Sequence, residues 1–216
     1  MRLRIGKSGK HFGAQLDRRG ALTLFGAALL APAIIGSRSF AADTAGRVDE
    51  IKGEAFADAS NQHRALEKSS SLFVGDRVGT GATSRLTMLL GEDTTIRLGE
   101  RTNLVIDKFL AQTGGEISLE SGPMLFDRPA GARSVPMRIK SSYGLIAVRG
   151  TKFFAGPSNG AFGVFVDHGV VVVSAGGGEV TLQAGEGTNL GGGDAKPTAA
   201  VKWGAERIRN ALASVS

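Results

Sequence analysis

An all-β fold of short strands, solenoid- or sandwich-like and finished by one amphipathic helix near the C-terminus, is what this 216-residue sequence predicts. Three observations carry that expectation. Glycine is abundant at 32 residues and proline scarce at 6, while Val, Ile, Leu and Phe recur in short runs. The runs return about every ten residues with turn residues between them, the rhythm of a barrel, sandwich or solenoid. No stretch of roughly 10 to 12 residues within this region keeps a helical period.

The clearest unit is a hairpin. Arg85-Leu86-Thr87-Met88-Leu89-Leu90 leads through Gly91-Glu92-Asp93 into Thr94-Thr95-Ile96-Arg97-Leu98, two alternating runs about a turn, with one face buried. Further strands are expected over residues 103–106, 116–119, 137–140, 145–148, 152–155, 163–166, 170–174 and 180–183. Residues 185–197, with Gly191-Gly192-Gly193-Asp194, read as a flexible connection. Val201, Ala205, Ile208 and Leu212 then fall at steps of four, three and four, so residues 199–213 are expected to form an amphipathic helix that lids the β core. Trp203, the sole tryptophan, is expected to pack there rather than to contact a partner.

The N-terminal 41 residues read as an export signal. Arg2, Arg4, Lys7 and Lys10 form a basic leader, Asp17-Arg18-Arg19-Gly20 follows, and an apolar run extends from Ala21 to Ile35. That run falls short of the roughly 20 apolar residues that span a bilayer. No stable transmembrane helix is therefore expected after cleavage, which the small Ser39 and Ala41 place after Ala41. The Arg18-Arg19 pair, the long leader and Arg38 resemble a twin-arginine signal, although Asp17 and Ala21-Leu22 depart from its usual flanks. The mature chain divides into a β domain over 42–190 and a Gly-rich connection with the helix over 191–216.

The leader also holds the charge imbalance. Seven of the 26 basic residues and one of the 20 acidic ones lie in it, leaving 19 of each in the remainder. A phosphate-tracking groove needs clustered Lys and Arg, so nucleic acid is excluded as a partner. The absence of cysteine excludes disulfides, thiol nucleophiles and zinc ribbons.

The candidate catalytic groups are poor. His63 and His168 are the only histidines beyond the leader; the first reads as a loop residue and the second as part of the turn Asp167-His168-Gly169. Asp49-Glu50 and Glu92-Asp93 are adjacent pairs, which on a strand would point to opposite faces. The glycine-rich pieces lack the Gly-Lys-Ser/Thr ending and the following helix of a phosphate loop. No catalytic, metal or cofactor residues are assigned. Arg149 stands between the apolar residues 145–148 and Phe153-Phe154. If buried it needs an ion partner, for which Asp76, Asp107 and Asp127 are candidates, and Gly150 would serve a bend or bulge beside it.

Several segments carry a resemblance. Leu72-Phe73-Val74-Gly75-Asp76-Arg77-Val78-Gly79-Thr80-Gly81 with the following hairpin resembles the opening of a FecR domain. Residues 139–153, ending in Val148-Arg149-Gly150-Thr151-Lys152-Phe153, are similar to that family's most recognisable string, and 164–186 with Gly169 in the turn to its ending. The resemblance spans roughly 46–188 and marks Gly75, Asp76, Thr80, Gly81, Arg149, Gly150, Thr151 and Gly169 as structural motif residues. It implies a periplasmic β domain of the kind that, in membrane regulators of iron uptake, senses an outer-membrane transporter. About 17 residues precede the Arg18-Arg19 pair that leads into the apolar run, too few for those regulators' cytoplasmic sigma-binding segment. The expected function is therefore non-enzymatic binding of an envelope protein or small ligand in the periplasm, in signalling. A structural scaffold and, less so, a glycan-active enzyme are the alternatives.

Overall fold

The computed structural model describes residues 43–59, 62–110, 114–129, 131–132 and 135–216. The export signal read in residues 1–41 lies outside them. Two nine-stranded sheets share one core, and the chain builds them by crossing repeatedly from one to the other. Strand β1 (Thr44–Lys52) lies in the first sheet, β2 (Ala55–Ala59) and β3 (Gln62–Ala65) in the second, β4 (Ser71–Phe73) in the first and β5 (Arg77–Thr80) in the second. The pair β6 (Arg85–Leu90) and β7 (Thr94–Leu98) returns to the first sheet, β8 (Asn103–Leu110) and β9 (Gly114–Ser121) to the second, and β10 (Met124–Asp127) to the first. Then β11 (Met137–Ser141) and β12 (Gly144–Val148) extend the second, β13 (Lys152–Ser158) and β14 (Ala161–His168) the first, β15 (Val170–Ala175) and β16 (Gly178–Gln183) the second, and β17 (Glu186–Leu190) and β18 (Val201–Lys202) the first. Helix α1 (Ala205–Ala213) follows. All pairings are antiparallel except β9 with β11.

Alternation explains why these segments are strands. In β6, Leu86, Met88 and Leu90 are buried while Arg85, Thr87 and Leu89 are half-exposed, and β7 answers with Thr94, Ile96 and Leu98. Period-two alternation puts every second residue on the inner face. The inner faces of both sheets merge into one cluster running from Ala45 to Leu190, with Phe126 and Phe153 stacked at its centre.

The outer face of the first sheet carries a second, smaller core. Leu125, Phe154 and Phe165 lie there under Trp203, Ala211 and Val215. Trp203 rests on two glycines: a Cβ at Gly163 would come within 2.8 Å of the indole and one at Gly187 within 2.3 Å. Strand glycines are otherwise unfavourable, and here they provide the slot for the ring. The Arg207 guanidinium sits 3.6 Å over the indole and donates to Asn189 Oδ1 at 2.6 Å and Ser158 Oγ at 3.0 Å. Burial lowers its pKa below the usual arginine range.

Three expectations are corrected. The helix begins at Ala205, not Ala199: its N-cap Gly204 is extended at φ −69° and ψ 151°, and Val201, assigned to the apolar helical face, is an exposed residue of β18. Residues 186–190, read as part of a connection, form β17 and pair with β14. The remainder of that segment is tied down as well, Thr198 N donating to Asn189 O and the Lys196 side chain lying against Gly178.

Candidate functional site

The motif residues occupy the corners where the chain changes sheets. Gly75 and Asp76 lie between β4 and β5, and Thr80 and Gly81 at the passage from β5 to β6. Arg149, Gly150 and Thr151 lie between β12 and β13, and Gly169 between β14 and β15. Each corner must satisfy backbone groups that leave one ladder before joining the next. Gly75, at φ +92°, donates its N–H to Ile106 O at 2.8 Å. Thr80 Oγ1 donates to Gly99 O at 2.6 Å and accepts from Thr102 N at 3.0 Å, joining two crossings. Gly81 N donates to Glu54 O, and its own carbonyl accepts from Arg101 N. At the far corner, Gly169 has φ +88°, and a Cβ there would stand 2.6 Å from Thr151 Cγ2 and 3.0 Å from Gly150 O. Gly150, Thr151 and Gly169 are thus one packed unit, and a register shift between Lys152 and Phe153 marks the irregularity beside the bend at Gly150, φ +65°.

The buried ion pair is not where the sequence placed it. Arg149 is exposed, because β12 ends at Val148 and the chain is already turning. Asp76, fully buried, instead accepts from Arg64 Nη2 at 2.6 Å and from Phe73 N at 2.9 Å. Arg64 also stacks over Phe73, 5.3 Å from its centroid, so one side chain of β3 ties the second sheet to β4 of the first. Asp107 accepts from Ser118 Oγ, and Asp127 lies 3.7 Å from Lys152 Nζ and 4.0 Å from His168 Nε2. The arginine that is nearly closed off from solvent is Arg128, 3% exposed. Sequence reasoning missed it because Asp127-Arg128-Pro129 has the composition of a loop.

His63 belongs to β3 rather than to a loop, and its Nδ1 lies 2.6 Å from Asp58 Oδ1 across the β2–β3 pair. The expectation that Asp49 and Glu50 diverge also fails: a register shift between Val48 and Glu50 breaks the alternation, and both line one cleft of about 270 Å³. Lys52, Arg85 and Arg97 line it too, with Lys52 Nζ 3.9 Å from Glu50.

One edge differs from the others. The two sheets end in β18, β4, β16 and β3, of two, three, six and four residues. The β15–β16 turn has positive φ at both central residues, Gly176 at +51° and Gly177 at +69°, the two-residue hairpin whose closing pair, Ala175 and Gly178, is hydrogen-bonded. Alternation of paired types along an antiparallel ladder then turns the N–H and C=O groups of Glu179, Thr181 and Gln183 away from β15. Gln183 N is capped by Glu186 Oε2 at 2.9 Å. On the outer side of Glu179 and Thr181 no strand pairs among the described residues.

Comparison with curated proteins gives no match. Among solved structures, the chain is similar in fold to a candidate anti-sigma factor from Parabacteroides distasonis ATCC 8503, in crystal structures at 1.65 and 2.50 Å resolution. Each superposes with a TM-score of 0.51 at 14% identity over 63% of this chain. The match covers 64% and 63% of those chains, just under two thirds of their length. The profile of the FecR protein family matches residues 76–188, a range that begins at the buried Asp76 and takes in every motif residue except Gly75. With just over half of its length so matched, the chain belongs to the FecR family.

Proposed function

We propose that this chain is an exported regulatory module of the bacterial envelope that acts outside the cytoplasm by binding another envelope protein, with the edge of β16 adding a strand of that partner. The domain hands the binding event to a membrane partner rather than performing chemistry. FecR membership supports regulation, and the fold shared with a candidate anti-sigma factor agrees with it. The observation that carries the edge assignment is the pair of outward backbone units at Glu179 and Thr181 on a six-residue strand with a single charge. Edges are ordinarily blunted by brevity, lysine or proline, and β16 has none of these. Strand addition takes its affinity from such main-chain groups. The carboxylates Asp49 and Glu50 lie among three cations, an arrangement that favours ion pairing over general acid catalysis.

Thr181→Pro tests this. Proline removes the outward N–H of Thr181 and leaves the ladder to β15 intact, so the melting temperature should stay within about 3 °C of the parent. Crosslinking in intact cells should recover a second envelope protein with the parent chain and at least tenfold less with the variant. Equal recovery would refute the edge assignment, and recovery of copies of this chain alone would favour a scaffold. The mass of the exported form reads the cleavage after Ala41.

A further inference from the structure

We propose that Thr94, Arg128 and Thr151 form a binding site for a small oxyanion, a carboxylate or a phosphate, at the end of the core beside the Gly150–Gly169 corner. Three neighbouring strands put these residues level with one another. Asp127 pairs with Thr95 on one side and Lys152 on the other, so Arg128, one step on, stands between Thr94 and Thr151. Its N–H donates to Thr151 O at 3.1 Å, which confirms the level. All three side chains are on the inner face, 1%, 3% and 0% exposed. Same-face neighbours on adjacent strands stand about 5 Å apart, so a threonine stands on either side of the root of the Arg128 side chain.

Each of the three keeps a buried polar atom without a hydrogen-bond partner among the described residues: Thr94 Oγ1, Arg128 Nε and Thr151 Oγ1. Such atoms are rare in folded proteins, and three on one row are a concentration of them. The Thr151 methyl packs on Gly169, which turns its hydroxyl away from that corner. Among the described residues Arg128 makes one side-chain hydrogen bond, Nη1 to Val135 O at 3.3 Å, to a neutral acceptor. Burial lowers its pKa, with Asp93 opposing that shift. A guanidinium Nε–H can only donate and a threonine hydroxyl can rotate to donate, so all three groups suit an acceptor-only, negatively charged ligand. The Asp93 carboxylate offsets part of the cost of burying Arg128, and an oxyanion bonded to Nε and the two hydroxyls lowers that cost further.

The test is a thermal titration of the full chain with sodium phosphate and, separately, sodium acetate, against sodium chloride at equal ionic strength. At ten times its dissociation constant a bound anion should raise the melting temperature by about 3 to 6 °C. The response to acetate against phosphate tells a carboxylate site from a phosphate site. Arg128→Met should abolish the shift. Should that variant fail to fold, Thr94→Val and Thr151→Val, near-isosteric and without the hydroxyl, should each weaken binding about five- to tenfold. A shift no greater than that of chloride, or an equal shift in Arg128→Met or in both valine variants, shows an adventitious ion only and overturns the proposal.

Discussion

Arg64→Ala should lower the free energy of unfolding by about 2–4 kcal/mol. The Asp76 carboxylate is fully buried and takes charge-assisted bonds from Arg64 Nη2 and Phe73 N, both on Oδ2. Its Oδ1 has no partner among the described residues. Removing Arg64 leaves a buried charge with a single neutral donor, a change that costs about 3–5 kcal/mol when both partners are enclosed. The Arg64 side chain is 32% exposed, so solvent already screens part of the interaction and the expected loss is reduced accordingly. Asp76→Asn should cost less, about 1–3 kcal/mol, because the arginine then returns to water and no charge is stranded. The double variant should be more stable than Arg64→Ala alone. Urea denaturation of the four proteins reads this cycle, and additive losses would show that the two side chains do not act as a pair.

Gly187→Ala should displace Trp203 and loosen α1. The added Cβ would meet the indole at 2.3 Å on one side and the Val164 carbonyl at 2.6 Å on the other, and the backbone cannot yield. Overpacking of this kind costs about 1–3 kcal/mol. Trp203→Ala should cost about 3–5 kcal/mol, since it removes the ring stacked on Phe165 and beneath Arg207. With one tryptophan in the chain, the Gly187→Ala protein should show red-shifted emission, whereas substitution of Gly177 by Asn, where a Cβ meets nothing within 4 Å, should not. Unchanged emission in Gly187→Ala would mean that the indole is not seated on these glycines.

The parts of this fold that were legible in the sequence are those where one physical signal stands alone. The β6–β7 hairpin is expected over Arg85–Leu90 and Thr94–Leu98 and found there, because strict alternation meets a turn of Gly, Glu and Asp. Polarity misled at β3: Gln62-His63-Arg64 looks like a loop but is a strand at a sheet edge, where neither face need be apolar. In β17 the pattern is hidden because Gly187 serves the indole rather than the ladder. The helix start was misplaced because the spacing of Val201 from Ala205 fits a helical step by coincidence, while the side chains that do face the small core are Ile208, Ala211, Leu212 and Val215.

For the site, the motif positions were legible and their purpose was not. Glycines at corners declare a turn, but which corners touch depends on the order of strands, and adjacent elements here alternate between sheets. Burial of an arginine was inferred from its neighbours in sequence, which selected Arg149 over Arg128. The neighbours that matter lie across the ladder, Thr94 and Thr151.

Residue-resolved amide hydrogen exchange along β16 tests the exposed edge most directly. Val180 and Leu182 should exchange at least a thousandfold more slowly than Glu179 and Thr181, the two whose N–H groups point away from β15. Protection of all four amides in the isolated chain would mean that something already covers this edge, and would contradict its assignment as the docking strand.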